Sequence, residues 1–178
     1  MGEADAVSAV ASLRNQLTDI ARELSDAQVP TEPLADYVPP RRVALVFRRD
    51  SRLVETARVW RLGVLLIDTG AGLYAAGETT RAVEPGWPQH QATSMEIRRE
   101  YRGAALRGGF ATGTTINITA TPIDVTEEGL TDAAGPVFLR EGVIRVRWSA
   151  HVGDDAAMPI DAYLTERIEL LRHPPEGA

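Results

Sequence analysis

A chain of 178 residues with 44% hydrophobic content suits one globular domain that needs no covalent staples. It has no cysteine, and its 19 basic residues are all arginine, which excludes thiolate nucleophiles, cysteine-ligated zinc, Schiff-base catalysis, P-loop chemistry and Ser–Lys pairs. The formal net charge of −6 argues against a general nucleic-acid binder, because neutralising phosphates requires clustered positive charge.

The opening MGEADAVSAV has no basic region before an apolar run, and no stretch approaches the ~20 apolar residues of a membrane-spanning helix. The expected setting is cytoplasmic, with no membrane partner. Over residues 4–27, Val10, Leu13, Leu17, Ile20 and Leu24 recur at alternating spacings of three and four, with Ala6 and Ala27 continuing the series. That is the apolar stripe of a long amphipathic helix. Three heptads are barely enough for an independent coiled coil, so packing of the helix on its own domain is favoured over pairing with a second copy of the chain. A long amphipathic helix on a tether nonetheless makes a homodimer the expected assembly. VPTEPLADYVPPRR (29–42) carries four prolines and reads as a semi-rigid tether, neither helix nor central strand. Residues 1–28 are thus an N-terminal helix, 29–42 a tether and 43–178 a single α+β domain.

From Val43 the pattern is β-like. VALVFRR (43–49) and TARVWRLGVLLI (56–67) read as strands, and DTGAG (68–72) as a glycine-bearing turn. LYAAGETTRAV (73–83) runs back as the hairpin partner. A Pro-rich loop, Glu84–Gln91, leads to a second helix over 93–109, where Thr93-x-x-Glu96 is a capping box and Gly108–Gly109 the stop. Ile97, Tyr101, Ala104 and Ala105 form its expected apolar face. GTTINITATPIDV (113–125) is a further β segment interrupted by Pro122, and Glu141–Gly142 marks a two-residue hairpin between PVFLR and VIRVRWS. Ile160, Leu164, Ile168 and Leu171 predict a closing helix with Asp161 as its cap. The sum is an α+β fold: a mainly antiparallel sheet of five to seven strands packed by helices.

Three groups of residues carry possible chemistry. In the Glu84–Gln91 loop, Trp87 can stack on a planar ligand and His90 can act as acid or base, with Glu78 and Arg81 supplied from the hairpin. The plain alternative is a rigid connector. In HVGDDAAMPID, His151, Asp154 and Asp155 are metal-ligand types, yet no H-x-H, H-E-x-x-H or D-x-D-x-D-G spacing accompanies them. On the second helix, Arg98 and Arg102 are i,i+4 neighbours able to fork a phosphate or carboxylate, with Arg81 nearby in sequence. Glu96 and Glu100 are placed to neutralise them within the helix. No serine stands in a G-x-S-x-G elbow, and no cofactor motif is present.

VWRLGVLLI (59–67), ETTRAVEPGWPQHQ through EIRREYRGAALRGG (78–109), and PIDAYLTERIELLRHPPEGA (159–178) together resemble a family of short, arginine-rich actinobacterial proteins without an established function. A glutaminase name is attached to some members, but this chain lacks both the Ser-x-x-Lys and the cysteine nucleophile that known glutaminase chemistries use. The resemblance brings no catalytic motif. The leading expectation is a non-enzymatic ligand- or partner-binding protein acting as a homodimer. A metal-assisted or His-based hydrolase and an anion-binding regulator are the alternatives.

Overall fold

In the computed structural model the described residues are 2–42, 48–85, 93–131 and 133–174. Trp87, His90 and most of VALVFRR lie outside them. The chain is α+β. Helices α1 (Gly2–Asp26), α2 (Thr93–Arg107), α3 (Glu127–Leu130) and α4 (Ile160–Arg172) accompany a seven-stranded, mostly antiparallel sheet. Its strands are β1 (Glu32–Val38), β4 (Arg52–Leu62), β5 (Leu65–Asp68), β6 (Leu73–Ala75), β7 (Thr79–Arg81), β8 (Thr115–Asn117) and β9 (Thr121–Pro122). Their spatial order is β7-β8-β1-β4-β5-β6-β9. The short strands β2 (Arg41–Arg42) and β3 (Arg48–Arg49) pair with each other. A separate three-stranded sheet holds β10 (Val137–Arg140), β11 (Val143–Val146) and β12 (Met158–Pro159).

Two compact units result. Unit 1 comprises Met1–Thr31, Val59–Ala76 and Thr121–Ala178; unit 2 comprises Glu32–Arg58 and Gly77–Ala120.

In unit 1 the whole predicted stripe of α1, Val10 through Leu24, is buried with Trp60, Leu62, Leu65, Ile67, Ile144, Val146 and Leu164. Burying that face stabilises the helix far more than its intrinsic propensity does. The stripe is therefore not the surface a second copy would use. Gly63 divides the run expected as one strand: its φ of 64° turns the chain so that Leu62 pairs with Leu65. Tyr163 of α4 clamps this turn. Its hydroxyl donates to the Leu62 carbonyl at 2.8 Å and accepts from the Val64 N–H at 2.9 Å. The DTGAG turn forms as read, with Asp68 Oδ1 accepting from the N–H groups of Gly70 and Gly72. Glu141 and Gly142 both take positive φ, 54° and 76°, as a two-residue hairpin turn between β10 and β11 requires. Asp161 does not cap α4; Pro159 holds that position without a side-chain bond, and Asp161 sits in the first turn, where its charge suits the helix dipole.

Tyr163 carries a testable consequence. Burial pushes its hydroxyl, and those of Tyr37 and Tyr74, above the usual 10.0. The folded chain thus keeps these protons longer than the unfolded chain, so their contribution is complete below pH 10 and is lost as pH rises through the folded values. Melting temperature should fall above pH 10 in step with tyrosinate absorbance. At neutral pH, Tyr163→Phe should cost about 1–3 kcal/mol, measured by denaturant unfolding, because it strips partners from two backbone groups.

In unit 2 the supposed tether contains β1, which lies between β8 and β4 and runs parallel to β8 with Leu34 opposite Asn117. The expectation that this segment holds no central strand is corrected by where its prolines fall. Pro30, Pro39 and Pro40 lie outside the strand, and Pro33 is its second residue, close to its start. The 73–83 run also divides. β6 pairs with β5, but β7 turns away to pair with β8. Gly77 makes the switch possible, since a Cβ there would strike the backbone of Ile118 and Thr119. Helix α2 spans Thr93–Arg107, but Ile97 is 48% exposed; the helix buries Gly103, Ala104 and Ala105, with Tyr101 half-buried beside them. Its first turns, residues 95–100, are exposed throughout.

Candidate anion-binding cleft

The antiparallel pairing of β7 with β8 sets Arg81 opposite Thr115 and Thr80 opposite Ile116. Helix α2 packs against β7 and brings Arg98 and Arg102, one turn apart, to the same place. The result is a cleft of about 350 Å³ lined by Thr79, Thr80, Arg81, Arg98, Arg102 and Thr115. The three arginines singled out in the sequence converge there. The three threonines were not anticipated. Only strand register reveals them, although two stand beside Arg81 as the dipeptide Thr79–Thr80.

The electrostatics depend on where Glu100 goes. Instead of neutralising an arginine of the cleft, it joins a cluster at the other side of α2. It pairs with Arg107 at 3.1 Å, accepts from Tyr37 at 3.2 Å and bonds the buried Ser51. Arg107 also donates to the Ser51 carbonyl at 2.6 Å, which ties the C-terminal turn of α2 to the start of β4. Among the described residues, Arg81, Arg98 and Arg102 have no carboxylate partner, and the hydroxyls of Thr79, Thr80 and Thr115 make no hydrogen bond. The lining offers formal charge +3 and hydroxyl donors, with no acid among its residues.

The other sequence candidates are placed differently. His151 is exposed, and its backbone N–H donates to Ser149. Asp154 is held by Arg147 at 2.7 Å, which draws its carboxyl below the ordinary aspartate value, while Arg140 faces both Asp154 and Asp155. Arg147 is itself fixed, stacked 4.0 Å over the Phe138 ring and bonded to the Ala133 carbonyl. These two aspartates serve an ion-pair network. Among the described residues no group of three or more His, Cys, Asp or Glu could hold a metal ion. Glu78 is exposed beside β7 and outside the cleft lining.

A larger cleft of about 530 Å³ lies between α1 and α4 in unit 1. Its charges are largely answered already: Arg172 pairs with Glu23 at 2.6 Å, and Asp19 with Arg22 at the same distance. Gln16 Oε1 and Arg172 Nε are buried at its wall without a hydrogen-bond partner in the protein. The arginine cleft differs in holding unanswered charge.

No protein family profile matches the chain, and neither a curated protein nor a solved structure shows significant similarity to it. Among the described residues no helix is long and apolar enough to cross a membrane.

Proposed function

We propose that this chain is a non-enzymatic binding protein whose ligand is a small anion held in the Arg81–Arg98–Arg102 cleft. The observation that supports the reading is the set of three guanidinium groups lining one cleft without a carboxylate among its residues. Like charges held together repel one another, so a counter-ion relieves the folded state directly. Guanidinium is the group best suited to the task, since its planar fork matches two oxygens of a phosphate or carboxylate at once. The cleft sits at the lower end of the ~300–1,000 Å³ range of small-molecule sites.

The hydrolase alternative draws no support from the described residues, because Asp154 is engaged by Arg147 and His151 lies exposed. In the proposed reading the protein acts as a homodimer through surfaces other than the α1 stripe, which native mass spectrometry checks.

The test of the cleft is the double variant Arg98→Ala/Arg102→Ala. Inorganic phosphate at a hundredfold excess over its Kd should stabilise the parent protein by about 2.7 kcal/mol, read as a rise in melting temperature. The double variant should keep the parent far-UV circular dichroism and show no rise. An equal rise in both proteins at matched ionic strength would end the proposal.

A further inference from the structure

We infer that the ligand of this cleft is an organic phosphate, a phosphoryl dianion joined to a compact apolar or planar body. The inference rests on the reading of the cleft as an anion site and adds the chemical class.

Charge and donor count favour phosphoryl over carboxylate. Three guanidiniums against one carboxylate leave two positive charges unanswered, whereas a phosphomonoester carries a charge near −2 at neutral pH and offers three acceptor oxygens. The lining supplies three hydroxyl donors beside the three guanidinium forks, more donors than the two oxygens of a carboxylate can accept.

Volume and neighbourhood favour an organic ester over the bare ion. The cleft of about 350 Å³ has room for roughly a dozen waters at ~30 Å³ each. A free phosphate displaces only some of them and leaves the rest of the open cleft to water. Met95 is not among the lining residues, but its place on α2 can offer apolar surface to a ligand that extends out of the cleft. It precedes Arg98 by three residues and Arg102 by seven on α2, which puts it on the same helix face, and it is 47% exposed. A flexible thioether side chain adapts to a ring or short chain laid against it. The ligand is therefore held at its phosphoryl end by Arg81, Arg98 and Arg102, with its body along Met95.

Three probes at constant ionic strength test this by calorimetry: inorganic phosphate, phenyl phosphate and phenylacetate. Phenyl phosphate should bind tightest, roughly tenfold better than phenylacetate, because doubly charged phosphoryl makes the stronger charge-assisted bonds. Met95→Ala should weaken phenyl phosphate about fourfold through lost apolar contact and leave inorganic phosphate unchanged. Phenylacetate matching phenyl phosphate would overturn the inference, as would phenyl phosphate binding no better than the bare ion, or Met95→Ala having no effect on it. In those cases phosphate binding that still vanishes in Arg98→Ala/Arg102→Ala leaves the anion site standing. If no probe binds the parent protein, or the double variant binds all three undiminished, both readings fall.

Discussion

Trp60→Ala is expected to destabilise the protein by about 3–5 kcal/mol, the range for an aromatic side chain removed from a packed interior. Trp60 is 2% exposed, stands opposite Ile67 across the β4–β5 pairing, and packs with the apolar stripe of α1. Its indole N–H also donates to the Val29 carbonyl at 3.0 Å, just past the end of α1. Truncation therefore opens a cavity and leaves a carbonyl without its donor. Trp60→Phe weighs the two effects differently, because it keeps most of the apolar bulk, loses the bond and leaves only a small cavity, at a cost of about 1–3 kcal/mol. Denaturant unfolding monitored by circular dichroism measures both variants. A loss below about 1 kcal/mol for Trp60→Ala would mean that β4 and α1 are not packed as described, since large core deletions cost several-fold more.

Leu17→Ala should cost about 2–5 kcal/mol, and the manner of the loss matters as much as its size. Leu17 is 2% exposed at the middle of the α1 stripe, flanked by Leu13 and Ile20 in the same core. Because its own unit buries it, the substitution should lower stability and leave the dissociation constant of any dimer unchanged. Were a second chain to cover the stripe, Leu17→Ala would weaken association as well, and the variant's melting temperature would depend on concentration more steeply than the parent's. Scans of both proteins spanning two orders of magnitude in concentration decide between the arrangements.

The elements with strong local signals were readable from the residues alone. α1, α2, α4, the DTGAG turn and the Glu141–Gly142 hairpin all follow from periodicity or from positive-φ positions, which are properties of neighbouring residues. What escaped depends on partners distant in sequence. β1 was hidden because a count of prolines does not say where they fall relative to a strand, and three of the four lie outside it. The division of 73–83 between two strand partners turns on Gly77 meeting the backbone at residues 118 and 119, some forty positions away. The cleft was half legible. Arg98 and Arg102 are helix neighbours by spacing, but Arg81 and the threonines join them only through the β7–β8 register. Glu100 misled for the same reason: i,i+3 and i,i+4 proximity predicted neutralisation, while Ser51, Tyr37 and Arg107 drew it elsewhere.

The diversion of Glu100 also shapes how an anion would arrive. Beyond a Debye length, about 8 Å at physiological ionic strength, a solute meets a molecule of net charge −6. Only inside that distance does the +3 lining of the cleft dominate. Encounter would be opposed and retention favoured, so under the proposed reading affinity would reside in slow departure rather than rapid capture. Added salt would then speed the approach of an anion even as it loosened the grip.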